Sequence, residues 1–249
     1  MGRADLHVHT TWSDGMMTPV QLVERVADRG QLDVISVADH DQVRGALEAV
    51  EWCAGQPGRS IEAVVGTEIS ASWGRHLVAL FFSQPYPTAP FPRFKGLAET
   101  AARVADAGGV VIVPHALSML VPSVGERAMR SLLATRDARR TVVGLEVCSG
   151  VVGGHAAESG LRTLNAGRWH LAEVGSSDAH HLAQVGAAFT EFPGRTPAHL
   201  LAALRGRETR ARWGQAVGVP FTSHARQGWR SLVVKPVREL RAVLTGRDR

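Results

Sequence analysis

Six of the 11 histidines in this 249-residue chain sit at or beside the ends of short apolar runs, in company with carboxylates. His7 and His9 close the run Ala4–His9, and in an extended strand residues two apart share a face, so the two imidazoles point together. The turn Thr10–Gly15 follows, with Asp14 free to reach back. A second run ends Ala38-Asp39-His40-Asp41 and a third Gly66-Thr67-Glu68. A fourth carries His76, a fifth ends Pro114-His115, and another ends Ser177-Asp178-Ala179-His180, again a same-face pair. Imidazole nitrogen with carboxylate oxygen and no thiolate is the donor set of Mn, Fe or Zn, whereas Mg and Ca prefer oxygen alone. Each residue singly has a plainer explanation. A strand-end histidine is commonly a hydrogen-bonded structural group, Asp14 beside Gly15 suits a turn, and Asp39 and Asp41 suit helix caps. Taken jointly, six histidines and three carboxylates ending successive strands would be buried polar groups costing kcal/mol each if unpaired, and metal coordination removes that cost.

The elements that must hold these residues follow from the spacing of apolar positions. Strands are expected at Ala4–His9, Asp33–Ala38, Glu62–Ser70, Arg75–Phe82, Val110–Pro114, Val142–Val147, Ala172–Ser177 and Ala187–Phe192. Helical stretches lie between them. Thr18-Pro19 opens the first with an N-cap, Pro at N1 and Gln21 at N3; Leu22, Val23 and Val26 form its apolar stripe, and Gly30 stops it. Val43–Cys53, Leu97–Ala107, Gly125–Thr135, Ala156–Ala166 and Pro197–Arg205 read similarly. The alternation over about 210 residues predicts an α/β domain with a parallel sheet, open or closed into a barrel. In either, sites lie at the C-terminal ends of the strands. One domain is expected over residues 1–210, followed by a basic extension over 211–249 whose segment Trp229–Leu244 sets apolar residues against several arginines and is expected to pack on the barrel.

Composition narrows the rest. Two cysteines, Cys53 and Cys148, cannot build a disulfide framework or a four-thiolate zinc site. No apolar run is long enough to span a membrane, and polar Asp5, His7 and His9 stand where a signal peptide needs an apolar stretch, so a cytoplasmic protein is expected. A net charge of +5 permits a phosphate-bearing partner without demanding one.

The ordered motifs Asp5-Leu6-His7-Val8-His9…Asp14-Gly15, Ala38-Asp39-His40-Asp41, Gly66-Thr67-Glu68-Ile69 with His76-Leu77-Val78, Pro114-His115, and Ser177-Asp178-Ala179-His180 resemble those of the PHP (polymerase and histidinol phosphatase) family over about residues 4–210. The resemblance implies a distorted (β/α)7 barrel with two or three divalent ions at the strand C-termini. It assigns His7, His9, Glu68 and Asp178 to a first ion, Glu68, His76 and His115 to a second, and Asp14, His40 and His180 to a third. The Ser13-Asp14-Gly15 form is similar to the general phosphoesterase branch rather than to histidinol phosphatases, which usually carry His near position 14. Only 38 residues separate His76 from His115, leaving little room for the insertion that some nucleotide-acting members carry there.

The expected chemistry is hydrolysis of a small phosphorylated substrate (a nucleotide, cyclic or sugar phosphate) by a hydroxide bridging two ions, with Glu68 and Asp178 as the catalytic carboxylates. Arg44, after the second motif, and Arg75, before His76, are candidate phosphate forks. Trp12 beside the mouth could stack on a base or simply pack, and Glu146 at the end of the sixth strand could support a ligand. Two alternatives stand beside this reading: an exonuclease trimming short nucleic acid with the same ions, and a non-catalytic regulatory module. Amidohydrolase chemistry lacks its carboxylated lysine, since neither Lys95 nor Lys235 ends a core strand.

Overall fold

The computed structural model describes residues 1–118, 121, 123–215, 229 and 237. Apart from 211–215, Trp229 and Val237, the expected basic extension lies outside the described residues. Among the described residues one sheet of nine strands forms the frame. The strands are β1 Gly2–Val8, β2 Val34–Val37, β3 Glu62–Ser70, β4 His76–Phe81, β5 Val110–Val113, β6 Val142–Ser149, β7 Ala172–Ser176, β8 Ala188–Phe192 and β9 Arg210–Trp213. The helices are α1 Pro19–Arg29, α2 Arg44–Ala54, α3 Leu97–Asp106, α4 Glu126–Leu132, α5 Arg136–Thr141, α6 Gly154–Leu164 and α7 Pro197–Gly206. Spatial order in the sheet is β7-β6-β5-β4-β3-β2-β1-β8-β9.

The sheet is mixed, not parallel as the alternation suggested. The β1–β2, β2–β3, β5–β6 and β6–β7 pairs are parallel, while β4 runs antiparallel to both β3 and β5, and β8 runs antiparallel to β1 and β9. The reason lies in chain length. Residues 71–75 link β3 to β4, too few for a crossover, so the link must be a hairpin. The reversal carries a benefit for the site: His76, the first residue of β4, stands at the rim where the parallel strands end.

The sheet curls until its outer strands meet, giving a nearly closed barrel. The seam is held by side chains. The Thr190 hydroxyl accepts from Gly175 N–H at 3.1 Å and donates to Gly175 C=O at 2.9 Å. Thr209 Oγ1 donates to Glu173 C=O at 2.7 Å. Position 175 must be glycine, because a Cβ there would collide with the Phe189 carbonyl of β8.

Two buried layers hold the strands. Inside the barrel, Ala4, Leu6, Val64, Val78, Leu80, Ile112 and Val174 pack with Leu200, Ala203 and Leu204 of α7. Helix α7 touches β3, β6, β7 and β8, strands far apart in the sheet, so it stops the end of the barrel opposite the rim. Outside, α1 to α6 bury apolar faces such as Leu22, Val23 and Val26 of α1 against the sheet. Each such side chain contributes about 1.5–3 kcal/mol. Helix α1 has the predicted ends: Thr18 Oγ1 accepts from Gln21 N–H at 3.2 Å, Gln21 Oε1 accepts from Thr18 N–H at 3.0 Å, and Gly30 closes it in the left-handed region.

Candidate metal centre

Each expected ligand emerges at one rim. In β1 the register shifts between Asp5 and Val8, so that Leu6 packs inside and Val8 against the helices, and His7 and His9 turn into the barrel mouth. Beyond β7, a parallel bridge from Val8 to Ala179 and the 2.9 Å bond from His9 N–H to Ala179 C=O draw Asp178 and His180 beside them. His40 bridges to Glu68 across β2 and β3. Three residues here, Asp41, His115 and Asp178, hold left-handed backbone with φ of 51°, 29° and 49°. Such conformations are costly for side-chain-bearing residues and persist where the surroundings impose them.

Glu68 is the hub. Its Oε2 lies 3.0 Å from His40 Nδ1, 3.3 Å from His7 Nε2 and 3.4 Å from His9 Nε2. Its Oε1 lies 2.9 Å from His76 Nδ1 and 3.1 Å from His115 Nε2. Asp178 Oδ1 sits 3.0 Å from His9 Nε2 and 3.6 Å from His7 Nε2. Asp14 Oδ1 lies 3.4 Å from His180 Nε2, and its Oδ2 lies 3.9 Å from His40 Nε2. All nine expected ligands therefore converge. Three groups bring donor atoms within 4.8 Å of one another: His7, His9 and Asp178; His40, Glu68 and His76; and His9, Asp14, His40 and His180. A buried, mixed nitrogen and oxygen donor set at this spacing fits divalent cations.

The electrostatics agree. Burial would raise the Glu68 carboxyl, but His76, His40 and His7 hold it well below the usual range. Burial likewise opposes ionisation of Asp178 and Asp14, and the imidazoles around each outweigh it, so both are lowered. Burial pushes the His180 imidazole down, yet the Asp14 hydrogen bond and the Asp178 and Asp14 charges bring it up to about 9. The cluster thus keeps three carboxylates ionised in a buried mouth, and cations held there would displace protons from the imidazoles.

Other carboxylates orient the ligands. Glu146 Oε1 lies 2.9 Å from His7 Nδ1, and its Oε2 accepts from His115 N–H at 2.9 Å, so that His7 can present Nε2 to the mouth. Asp39 accepts from Thr10 N–H at 2.7 Å, Thr10 Oγ1 at 2.5 Å and Ser13 Oγ at 2.5 Å, gripping the turn that carries Asp14. Gly45 lets α2 approach this grip, since a Cβ there would collide with Asp39 Oδ2. Asp5 accepts from Ser177 N–H, Ser177 Oγ and Gly186 N–H at 2.6–3.0 Å, tying the Asp178 loop to β1. Asp41 accepts from Ser70 N–H and Oγ, both at 2.8 Å. The sequence offers Glu146 as a support and helix caps as the plain reading of Asp39 and Asp41, and gives Asp5 no role at the site. The signal was a carboxylate flanking a ligand inside an apolar strand, where solvent cannot reach it.

The candidate phosphate forks lie at the same rim. Arg44 opens α2, and its guanidinium carbon stands 5.6 Å above the Trp12 ring, whose Nε1–H donates to Glu48 at 3.0 Å. The Arg75 carbonyl accepts from Ala71 N–H at 2.7 Å and closes the link between β3 and β4. Among the described residues neither guanidinium has an ion-pair partner. Of the histidines outside the cluster, His155 stacks on Trp213 with centroids 3.5 Å apart, His181 is buried beside His180, and His224 lies outside the described residues.

Two family profiles match the chain: the PHP domain over residues 5–112 and the PHP-associated region over residues 164–209. Between them they take in the convergent rim from Asp5 to β5 and the segment that carries Asp178 and His180. The chain carries a PHP domain and a PHP-associated C-terminal region. This PHP chain is 41% identical over 103 residues to a 5′-3′ exoribonuclease of Haemophilus influenzae, covering 39% of this chain and 36% of the relative. It is 40% identical over 78 residues to a 3′,5′-nucleoside bisphosphate phosphatase of Chromobacterium violaceum, covering 31% of this chain and 26% of the relative. Among solved structures, it is similar in fold to a two-domain Bacteroides vulgatus protein described as containing a predicted PHP-like metal-dependent phosphoesterase. That likeness has a TM-score of 0.64 and 19% identity and covers 85% of this chain and 64% of the other. No helix among the described residues of the PHP chain is long and apolar enough to cross a membrane.

Proposed function

We propose that this PHP chain is a divalent-metal-dependent phosphoesterase acting on phosphate esters of nucleotide type. One observation carries the reading: the two oxygens of Glu68 face different imidazole sets, Oε2 toward His7, His9 and His40 and Oε1 toward His76 and His115. That is the arrangement of a carboxylate shared between two cations. His7, His9, Glu68 and Asp178 would hold the first, Glu68, His76 and His115 the second, and Asp14, His40 and His180 the third. Ions of the Mn, Fe or Zn type supply Lewis-acid activation of water and neutralisation of phosphoryl oxygens.

The protein's own residues do the rest. Asp178, held ionised, accepts a hydrogen bond from the attacking water and aims it. Glu146 and Asp39 fix the imidazole and the turn that face the substrate, so geometry is set before binding. Arg44 and Arg75, without carboxylate partners among the described residues, are placed to fork onto phosphate oxygens. Relatives named as a nucleoside bisphosphate phosphatase and an exoribonuclease support both a small phosphorylated substrate and short nucleic acid. Nine filled and convergent donor positions weigh against a non-catalytic module. Cys53 and Cys148 are free thiols, which suits a reducing, cytoplasmic setting.

The test is a turnover screen of the Mn-, Fe- or Zn-loaded chain on phosphomonoesters, phosphodiesters, nucleoside bisphosphates and oligonucleotides. Glu68→Gln is expected to lower turnover by about 10³-fold or more and to reduce the number of ions retained. A loaded chain inert across the panel, or a Glu68→Gln variant as active as its parent, would overturn the reading.

A further inference from the structure

Two aromatic side chains near the rim stand in water where apolar groups are not expected. Trp73, in the link between β3 and β4, is 85% exposed, and Phe94 is 66% exposed. Both have left-handed backbone, with φ of 64° and 59°, a conformation that bulky residues rarely adopt and that glycine takes freely. A glycine at either position would relieve the backbone and remove exposed apolar surface, so neither fold nor solubility explains a tryptophan and a phenylalanine there.

Their neighbours hold them in place. Ser72 N–H donates to Lys95 C=O and Phe94 N–H donates to Ser70 C=O, both at 2.7 Å, which pairs the two segments side by side. Ser70 is in turn gripped by Asp41, the residue after His40. Trp73 lies three residues before His76, so their Cα atoms are at most about 11 Å apart. Basic residues flank the pair along the chain. The Arg93 guanidinium carbon lies 5.8 Å from the centre of the Phe94 ring, with Nη1 3.9 Å from Asp41 Oδ2. Lys95 is exposed, and Arg75 follows Trp73 by two residues.

Exposed aromatics on a stiff support, interleaved with cations, form the surface on which single-stranded nucleic acid stacks its bases while its backbone follows the charges. We infer that Trp73 and Phe94 form a base-stacking platform for a single-stranded oligonucleotide whose terminal phosphate ester reaches the metal centre, with Arg75, Arg93 and Lys95 along its backbone. The inference rests on the proposed phosphoesterase reading and adds to it the substrate's class and direction of approach. A small phosphate alone would leave both rings idle.

The experiment uses the full, metal-loaded chain at one fixed salt concentration. Fluorescence anisotropy reports binding of a labelled single-stranded eight-mer made resistant to cleavage by phosphorothioate linkages. Trp73→Gly and Phe94→Gly are each expected to weaken binding about tenfold or more, and to lower by a similar factor the ratio of kcat/KM for an oligonucleotide to that for a mononucleotide. Their melting temperatures are expected to equal or exceed that of the parent, since strain is relieved; a structural role predicts the opposite. An abasic eight-mer is expected to bind the parent as weakly as the normal strand binds the variants. Variants that bind like the parent, or an abasic strand that binds as tightly as the normal one, would overturn the platform. So would Trp73-dependent attachment to anionic vesicles without oligonucleotide binding. The binding arm needs no turnover. A chain that binds as expected yet hydrolyses no ester would sink the phosphoesterase reading alone, and a chain that hydrolyses esters but binds strands independently of both rings would sink the platform alone.

Discussion

At the scale of residues, the site is a problem of too many donors around one carboxylate. Glu68 meets five imidazoles, and His7 is held in its role by a hydrogen bond on the far side of its ring. For His7 that partner is Glu146, which also receives the His115 N–H. A glutamine at 146 offers one acceptor where two donors need one each. Glu146→Gln is therefore expected to weaken metal affinity about 10–100-fold, read by titrating a chelator-treated sample, while the chain stays folded by circular dichroism. Affinity equal to the parent's would show that His7 needs no such support. The candidate ligands themselves are legible because pairs two residues apart, such as His7 with His9 and Asp178 with His180, leave a period-two trace at strand ends. Asp5 and Asp39 are not, because an aspartate near Ser or Thr looks alike in sequence whether it caps a helix or clamps two loops. Trp73 and Phe94 escaped for a different reason: neither exposure nor a positive φ has a sequence signature for an aromatic residue.

At the scale of elements, eight of the nine strands and the ends of α1 could be read from alternation and capping residues. What could not be read was direction. Nothing in His76–Phe81 marks it as antiparallel, and only the brevity of residues 71–75 forces the reversal that brings His76 to the rim. Strand β9 leaves little trace in sequence because Arg210-Ala211-Arg212-Trp213 offers only four residues of alternation, with Ala211 alone fully buried. The expected boundary at 210/211 falls inside it. Between α2 and β3, packing has a chemical consequence. Burial raises the Cys53 thiol to about 11, so its reactive thiolate is scarce near neutrality and grows as pH rises toward that value. Alkylation of Cys53 by iodoacetamide at pH 8 is expected to run roughly a hundredfold slower than that of an ordinary thiol, and to accelerate about tenfold per pH unit to near pH 11. Peptide mapping by mass spectrometry checks this. A rate at pH 8 matching a free cysteine would contradict the packing of α2 on β3.

For the molecule as a whole, one end of the barrel is shut and the other is armed. Helix α7 fills the far end, where a cavity of about 440 Å³ opens among Val50, Cys53, Phe82, Tyr86 and Pro197, away from the ligands. Residues 216–249 hold seven Lys or Arg and two Asp or Glu, a net of +5 that equals the charge of the entire chain. Residues 1–215 are therefore evenly balanced, so the proposed attraction for phosphate would be local to the rim rather than a field of the whole body. That places the demand on the nine convergent candidate ligands. The most direct measurement is titration of Mn²⁺ into the chelator-treated full chain, followed together by bound-metal analysis, melting temperature and phosphate-ester turnover. Binding of two or three ions per chain, a melting temperature that climbs with occupancy, and turnover that appears only as the sites fill are expected. Saturating Mn²⁺ that leaves the chain without bound ions and without a rise in melting temperature, or turnover that is full in the presence of chelator, would contradict the account.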